Sequence, residues 1–383
     1  MSAGPALLDN LRPRRAEMLR VLSALVEHES PSLDKRALDA LAVALQGVLI
    51  AIGGETEIVA NPDGGNHILA RFPGRSGSEG LPTALVLGHF DTVWPSGTLA
   101  GRPFRVEDGR AYGPGSYDMK ASLVIVEFAL EAIRSLGLAP SRSVEVLFTS
   151  DEEIGSPSSR ALIESRARAA AHVLVVEPPM ADGRLKTARK GVGFYSLRIE
   201  GRSAHAGVEP ERGRSAIVEL AHQILRLADL ADPALGTTIN VGVVGGGTTP
   251  NVVPSESHAR VDVRVATMDE AGRVEAAIRA IRPVTPDVRV HYRGGLNRPP
   301  MVRTAGVAAL FERTRAVGRT LGLELGEGST GGGSDANFTA ALGIPTIDGL
   351  GALGGGAHAV DEHVLIDSLP ERAALLAALL LEL

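Results

Sequence analysis

Short apolar runs that end in glycine, proline or acidic residues recur along much of the chain. They lie at Thr83 to Leu87, Val144 to Phe148, Val173 to Val176 and Ile344 to Ile347. Runs of this length predict buried parallel strands. Helical periodicity separates them, as at Ala121 to Leu136 and Pro157 to Ala170. The alternation predicts a mixed, doubly wound α/β sheet with functional side chains at the carboxyl ends of its strands.

The N-terminal segment has a helical pattern of its own. The pattern predicts one amphipathic helix from Met1 to Glu29, with charged residues around an apolar stripe of Met18, Leu19, Leu22, Leu25 and Val26. The segment lacks the uninterrupted apolar core of a secretory signal. Apolar runs elsewhere stay well short of the ~20 residues that a membrane span needs. We therefore expect a cytoplasmic protein.

The middle of the chain departs from the strand and helix alternation of a parallel sheet. Between about Gly191 and Gly294 the pattern runs strand, helix, strand, strand, helix, strand. This βαββαβ order is typical of a ferredoxin-like α+β domain. We therefore predict an inserted domain at 191–294 within a catalytic domain made of residues 1–190 and 295–383.

Composition narrows the partners and the possible metal ligands. The net charge of -6 comes without a long basic run, which argues against nucleic acid or an anionic membrane and favours a small-molecule partner. The sequence contains no cysteine, so disulfides, thiolate ligands and a cysteine nucleophile are excluded. Any transition metal must be bound by His, Asp and Glu.

Candidate chemistry begins where the first apolar strand ends, in the sequence GHFDTV. His89 and Asp91 are two residues apart on an extended segment, so their side chains point the same way. A carboxylate that binds the far ring nitrogen of a histidine orients it as a metal ligand. Most isolated H-x-D sequences are nevertheless structural or solvated.

Carboxylates follow the next strands and turns. Asp118 lies between a Gly-Pro turn and a helix, where it could cap the helix or bridge two cations. Glu152 and Glu153 follow the strand that ends at Phe148, and Glu177 follows the next strand. Consecutive acids in a loop are usually only solvated, but the carboxyl edge of an α/β sheet is where such folds build their sites.

Five strand or turn ends each supply one potential ligand. They are His89, Asp118, Glu153, Glu177 and, in the sequence GGGAHAVDEHV, His358. This inventory fits two zinc ions that share one bridging carboxylate and leave an open position for water. Cobalt or manganese would suit the same ligands.

Ordered motifs along the chain resemble a known family of di-zinc metallopeptidases. The motifs are GHFDTVWPSGTLAGRPFRVEDGRAYGPGSYDMK, VLFTSDEEIGS, VVEP, GRSAHAGVEPERG, NVVP, ARVDVR, GGGSDA and GAHAVDEH, and they span about Leu19 to Leu380. The family contains glutamate carboxypeptidases, aminoacylases, acetylornithine deacetylases and succinyl-diaminopimelate desuccinylases. The PFRVE to AYGPG and TGGGSDA stretches are most similar to the glutamate carboxypeptidases.

The resemblance implies a role for each candidate residue of the metal centre. Asp118 would bridge the two zinc ions, with His89 and Glu177 completing one site. Glu153 and His358 would complete the other site. Glu152 would be the general base, and Asp91 would orient His89.

The resemblance also implies roles within the inserted domain, which would act as a lid and a dimerisation surface of a homodimer. His205 would stabilise the oxyanion, in an active site that we expect to belong to the partner subunit. Arg264 and Asn251 would bind the carboxylate end of the substrate. Just before the inserted domain, Arg184 is the candidate for a side-chain carboxylate, with Arg189 and Lys190 as nearby rivals and solvated loop charges as the alternative.

The sequence therefore predicts a zinc-dependent hydrolase that cleaves an amide bond of an N-acyl amino acid or short peptide next to a free carboxylate, of the glutamate carboxypeptidase type. Two alternatives remain open. One is an N-acyl amino acid deacylase or desuccinylase on the same di-zinc site. The other is a metal-binding subunit without catalytic activity, against which the intact Glu152 argues.

Overall fold

A computed structural model describes residues 3–383 of the chain. Met1 and Ser2, at the start of the first predicted helix, lie outside the described residues. In chain order the strands are β1 Glu55–Val59, β2 His67–Phe72, β3 Thr83–His89, β4 Arg105–Glu107, β5 Arg110–Tyr112, β6 Val144–Thr149, β7 Ala170–Val175, β8 Leu185–Arg189, β9 Gly191–Glu200, β10 Thr238–Gly246, β11 Glu256–Val265, β12 Arg289–Arg298, β13 Glu327–Thr330, β14 Thr346–Ile347, β15 Gly354–Gly355 and β16 His363–Leu365. The helices are α1 Gly4–Leu11, α2 Arg15–Glu27, α3 Lys35–Ala51, α4 Thr98–Gly101, α5 Ala121–Ser135, α6 Arg160–Ala169, α7 Ala216–Ala228, α8 Met268–Ala280, α9 Ala305–Thr320, α10 Ala336–Ala341 and α11 Ser368–Glu382.

The chain divides into two compact units. Unit 1 comprises Met1–Ala188, Arg303–Thr330 and Ser334–Leu383. Unit 2 comprises Arg189–Val302 and Gly331–Gly333. Unit 1 is therefore built from three separate stretches of sequence.

The main sheet of unit 1 is mixed, as predicted. Its strand order is β1-β2-β6-β3-β7-β14. The pairs β6 with β3, β3 with β7 and β7 with β14 are parallel, whereas β1 and β2 add an antiparallel edge. The apolar runs predicted as strands all lie in the parallel part. The sequence pattern did not predict β1 and β2, since their residues lack a long apolar run.

The N-terminal helix is broken rather than continuous, which corrects the prediction. The helix α1 ends at Leu11, a 3₁₀ turn covers Arg12–Arg14, and α2 starts at Arg15. Pro13 has no backbone N–H and its ring clashes with the preceding turn of a helix, so an α-helix cannot pass through it unchanged. The predicted apolar stripe does face the core, because Met18, Leu22 and Val26 are fully buried on α2.

Two apolar helices form the centre of the core in unit 1. The helix α11 buries nearly every residue from Ser368 to Leu380, and α5 buries most of its length. The two helices contact each other within one hydrophobic cluster. Helices that are apolar on all sides are typical of a protein interior.

Unit 2 has the predicted ferredoxin-like topology. Its four antiparallel strands lie in the order β10-β11-β9-β12, with α7 following β9 and α8 following β11. Alternate residues of β11, such as Val261 and Val263, are buried in one cluster with both helices. The intervening residues of β11, including Arg264, therefore project from the opposite face of the sheet.

Within residues 3–383, none of the helices combines the length and the apolar character that crossing a bilayer requires.

The buried His172 on β7 generates a prediction about acid stability. Burial, with help from the charges of Arg142 and Arg313, lowers the pKa of His172 to about 4. The unfolded chain takes up a proton near pH 6.5 while the folded chain does not, so this group destabilises the fold as the pH falls through that range. Between pH 7 and pH 5 we expect His172→Gln to lose about 2 kcal/mol less unfolding free energy than the wild type.

Urea unfolding at the two pH values measures this difference. The control is His222→Gln, since His222 is exposed on α7. It should follow the wild-type pH dependence. An equal acid loss in His172→Gln and in the wild type would contradict the prediction.

Candidate metal centre

The candidate ligands lie at the carboxyl edge of the parallel strands in unit 1. The strands β6, β3 and β7 are neighbours and run in the same direction. His89 is the last residue of β3, Glu152 and Glu153 follow β6, and Glu177 follows β7. Because parallel strands end at the same edge, residues distant in sequence converge there.

Asp118 reaches the same place from a turn, Ser116–Lys120, that precedes α5. The φ and ψ angles of Asp118 and Met119 are not helical, and the peptide bond between them is cis. The N-cap position of α5 belongs to Lys120, and among the described residues no side chain caps this end. The helix-cap interpretation of Asp118 is therefore wrong.

One set of ligand atoms surrounds His89. Its Nε2 atom lies 3.2 Å from Asp118 Oδ1 and 3.5 Å from Glu177 Oε1. On the other side of the ring, Nδ1 is 3.1 Å from the Asp91 carbonyl oxygen and 3.4 Å from Asp91 Oδ1. An Nδ1–H donated to Asp91 leaves the Nε2 lone pair directed at the two carboxylates.

A second set of ligand atoms surrounds His358. Its Nε2 atom lies 3.1 Å from Glu153 Oε1 and 3.4 Å from Asp118 Oδ2. Asp118 thus directs one carboxylate oxygen to each histidine. His358 itself has a positive φ of 61°, which is uncommon for a residue with a side chain and typical of functional sites.

These separations match the spacing of ligands around a zinc ion. Four ligands at about 2.0 to 2.1 Å from a tetrahedral ion lie roughly 3.3 Å from one another. The four distances between ligand atoms above range from 3.1 to 3.5 Å. Each set can therefore hold one ion, with Asp118 common to both.

Two buried polar atoms at this centre are suited to bind a cation. Among the described residues, neither His89 Nε2 nor Asp118 Oδ1 has a hydrogen-bond partner, although both atoms are buried. Burying carboxylates without compensation is costly. A metal ion would satisfy both atoms at once, so the residues present fit a metal cofactor.

The pKa values of the candidate ligands are shifted by the negative charge that is gathered at this centre. Contacts with Asp118 and Glu153 raise the pKa of His358 to about 10. Burial raises the pKa of Glu153 to about 7. Although burial opposes it, contact with the two histidines holds the pKa of Asp118 well below its usual value. The carboxylates therefore favour the positively charged form of the histidines. A bound cation would supply this positive charge instead.

Asp91 does more than orient His89. Its Oδ1 accepts the backbone N–H of Glu152 at 3.1 Å, and its Oδ2 accepts that of Glu153 at 3.2 Å. Oδ2 also accepts the hydroxyl of Ser32 at 2.7 Å. Asp91 thus positions the candidate ligand His89 and also the backbone of the two glutamates that follow β6.

Two residues of this centre were not predicted from the sequence. Ser32 contacts Asp91, and the buried Glu362 accepts hydrogen bonds from the turn that carries Asp118. Glu362 belongs to the GAHAVDEH motif, which offered a signal. Sequence alone could not separate it from its acidic neighbour Asp361, since only the fold shows which of them points inward.

The other predicted residues of the inserted segment lie in unit 2. His205 is exposed, and its Nδ1 accepts the Gly207 N–H at 3.2 Å, which places the proton of the neutral ring on Nε2. The backbones of His205 and Val252 pair, and the Ala206 N–H donates to the Asn251 carbonyl at 2.9 Å. Unit 2 therefore brings His205 and Asn251 together.

The candidate substrate arginines have partners within the protein. Arg264 donates from Nε and Nη2 to the two Asp262 oxygens, each at 2.8 Å. Arg184 donates from Nε to Asp182 at 2.7 Å. Its rival Arg189 is buried and donates to the carbonyl oxygens of Gly332 and Gly333. Arg189 thus has a structural role in unit 2.

The model of Peptidase family M20/M25/M40 matches residues 85–382. The chain belongs to this family. The family resemblance predicted from the sequence is confirmed, and as an M20 member the chain is a metallohydrolase.

Two curated relatives illustrate the range of the M20 family around this chain. Carboxypeptidase G2 of Pseudomonas sp. strain RS-16 is 33% identical over 324 residues, which cover 83% of this chain and 77% of that protein. The succinyl-diaminopimelate desuccinylase of Thioalkalivibrio sulfidiphilus is 28% identical over 315 residues, covering 77% and 82%.

Solved structures share the fold of this M20 chain. Aminopeptidase PepT from Bacillus cereus superposes with a TM-score of 0.78 at 22% identity, covering 96% of this chain and 98% of that one. The M20 metallo-carboxypeptidase Sso-CP2 from Sulfolobus solfataricus gives a TM-score of 0.76 at 19% identity, covering 96% and 99%. These similarities confirm the mixed α/β fold class.

The contacts of Asp91 generate a prediction about metal binding. In Asp91→Asn the side chain keeps its shape, but one of its two oxygens becomes an NH₂ group. This NH₂ group would face a backbone N–H donor of Glu152 or Glu153, which then loses its acceptor. Metal affinity should fall about 10- to 100-fold, the usual cost of losing a group that orients ligands. Titration of metal-free protein against a competing chelator measures it.

Ser32→Ala is the matched control, because it removes only one of the hydrogen bonds that Asp91 accepts. Its affinity should fall by less than that of Asp91→Asn. Equal affinities for Asp91→Asn and the wild type would show that Asp91 does not position the centre.

Proposed function

We propose that this chain is a di-zinc hydrolase that cleaves the amide bond of an N-acyl amino acid or short peptide next to a free carboxylate, as a carboxypeptidase of the glutamate type. The observation that carries the proposal is the pair of ligand sets joined by Asp118. His89 and Glu177 complete the first set, and Glu153 and His358 the second. The similarity to carboxypeptidase G2 supports the carboxypeptidase assignment.

The ligand chemistry supports zinc as the cofactor, with cobalt or manganese as substitutes. Two histidines and three carboxylates are borderline to hard donors that suit all three metals. Zinc, when bound, acts as a Lewis acid that polarises the scissile carbonyl and activates water at neutral pH.

Glu152 is the proposed general base. Its carboxylate lies within 4.8 Å of ligand atoms of His89 and Glu177, beside the first ligand set. The hydrogen bond from its N–H to Asp91 fixes its backbone. From this position it accepts a proton from the attacking water and passes it to the leaving amine, a contribution typically worth ~10² to 10⁴ in rate.

Unit 2 carries three of the groups proposed to act on the substrate, His205, Asn251 and Arg264. The exposed His205 donates from Nε2 to the developing oxyanion, a role whose loss commonly costs ~10² to 10³. We propose that it acts in the partner subunit of a homodimer, with unit 2 as lid and dimerisation surface. Asn251, on the adjacent segment, contributes to binding the substrate carboxylate.

Arg264 is the proposed partner of the substrate α-carboxylate. Asp262 occupies the side of its guanidinium that carries Nε. Within the described part of the chain, the end that carries Nη1 has one hydrogen-bond partner, the Gly331 carbonyl at 3.5 Å. A guanidinium can bind one carboxylate along its side and another at its end, so Asp262 orients Arg264 without excluding a substrate. For a side-chain carboxylate, the exposed Arg184 is the proposed partner.

A deacylase or desuccinylase on the same centre is the second candidate function. The observation that favours it is the similarity to a succinyl-diaminopimelate desuccinylase over 77% of the chain. Both functions hydrolyse an amide with the same ligands and the same base. They differ in which side of the bond carries the recognised group, so a panel of N-acyl amino acids with succinyl, acetyl and aryl groups distinguishes them.

The assignment of ligands and base generates a prediction. Glu152→Gln should retain both metals and the fold but lose nearly all turnover, since Glu152 is not a ligand in the proposal. Glu153→Gln and His358→Ala should lose metal as well as activity. Elemental analysis and turnover of the purified variants measure both properties.

The two neighbouring glutamates serve as controls for each other, because they occupy the same loop and undergo the same substitution. A Glu152→Gln protein that is metal-free, or that remains active, would show the roles to be wrongly assigned.

The carboxylate contact generates a second prediction. Amidating the substrate α-carboxylate should lower kcat/KM roughly tenfold to a hundredfold, the value of a hydrogen bond to a charged group. Arg264→Ala should lower the rate on the free acid and abolish this discrimination. Steady-state kinetics on an N-acyl glutamate and its α-amide measure it.

Arg184→Ala is the comparison variant, as it should retain discrimination against the α-amide while losing preference for an acidic side chain. Equal rates of the wild type on acid and amide would exclude the exopeptidase proposal and indicate an amidase.

A further inference from the structure

Glu362 is a buried carboxylate that is not among the proposed ligands. It is fully buried and accepts four hydrogen bonds. Oε1 accepts the backbone N–H groups of Tyr117 at 2.9 Å and of Asp118 at 3.1 Å. Oε2 accepts the Gly115 N–H and the Trp94 indole N–H, each at 2.9 Å. Three of its four donors therefore belong to Asp118, its neighbour Tyr117 and Gly115, which directly precedes the turn.

The shape of this turn explains why it needs an external acceptor. Asp118 has φ and ψ of -115° and 93°, and Gly115 has a φ of 70°. The N–H groups of Gly115, Tyr117 and Asp118 donate to Glu362 and so take no part in a helix or strand ladder. Buried backbone donors require partners, and the carboxylate of Glu362 provides one for all three.

Glu362 also lies between the backbone segments that carry the two ligand sets. Glu362 lies four residues after His358 and directly before β16. The strand β16 pairs with β5, with His363 opposite Tyr112, three residues before Gly115. Gly356 approaches so closely that a Cβ there would lie 2.9 Å from the Glu362 Cα. The His358 loop and the Asp118 turn are thus held on one small sheet.

We propose that Glu362 is a positioning residue of the metal centre, which holds the Asp118 turn in the conformation that presents one carboxylate oxygen to each metal site. This inference rests on the proposed metal centre. Glu362 acts through Asp118 and does not bind metal itself. Because Asp118 belongs to both ligand sets, loss of Glu362 weakens both metal-binding steps together.

The substitution Glu362→Gln tests this role with minimal change of shape. Each oxygen of Glu362 accepts from two donors, so either orientation of the amide places an NH₂ group against two N–H groups. An amide cannot accept at both ends. Both metal-binding steps should become about 10- to 100-fold weaker, as for other groups that orient ligands. Titration of zinc into metal-free protein with a competing chelator measures each step.

Glu219→Gln is the matched control in unit 2. Glu219 is also fully buried and accepts backbone N–H groups, from Val284 at 3.0 Å and Thr285 at 2.7 Å. Its substitution should lower the unfolding midpoint of the metal-free protein and leave zinc affinity unchanged. If Glu362→Gln behaves in the same way, Glu362 is merely structural and the inference is overturned.

Two further results keep the test decisive. Should Glu362→Gln fail to fold, Trp94→Phe removes one of the four donors and should weaken both steps roughly twofold to tenfold, the value of one hydrogen bond. Wild-type affinity in Trp94→Phe, or weakening of one step alone, would overturn the inference. A wild-type protein that binds no zinc would instead reject the metal centre, which separates the two failures.

Discussion

The cost of burying negative charge at one sheet edge governs the arrangement of unit 1. The parallel strands β3, β6 and β7 end together, and each delivers acidic or imidazole groups to the same small volume. Such a cluster is unfavourable without positive charge nearby. The separations of its ligand atoms fit bound metal, and so do two buried atoms that have no hydrogen-bond partner within residues 3–383. Burial and charge repulsion would otherwise oppose this arrangement.

A layer of hydrogen bonds behind the ligands determines where they point. Asp91 holds the backbone after β6, and Glu362 holds the turn around Asp118. Both are buried carboxylates that accept backbone N–H groups, so both convert irregular backbone into a fixed support. Groups of this kind tune metal affinity as strongly as some ligands do. The centre is thus supported from two directions, by β3 and by the small sheet of β5 and β16.

The candidate site residues of this chain are divided between its two units. The candidate ligands and base lie in unit 1, whereas His205, Asn251 and Arg264 lie in unit 2. The M20 family includes relatives named for a carboxypeptidase and for a desuccinylase, both similar to this chain over most of its length. One fold can host such different functions, because function depends on the residues of the site rather than on the fold.

The sequence by itself determined the family, the mixed α/β class, the ferredoxin-like insertion and the convergence of His89, Asp118, Glu153, Glu177 and His358, since apolar periodicity and motif order are local properties of the chain. It did not determine the break at Pro13 within the first helix or the antiparallel strands β1 and β2. Only the tertiary structure decided that Asp118 does not cap α5, that Arg189 is engaged by backbone carbonyls, and that Glu362 faces inward while Asp361 does not bind the turn. Those outcomes depend on which groups from distant parts of the chain meet in the fold. Ser32 and Asp91 are 59 positions apart, and Gly115 and Glu362 are 247 positions apart. Hydrogen bonds over such separations leave no local pattern in the sequence.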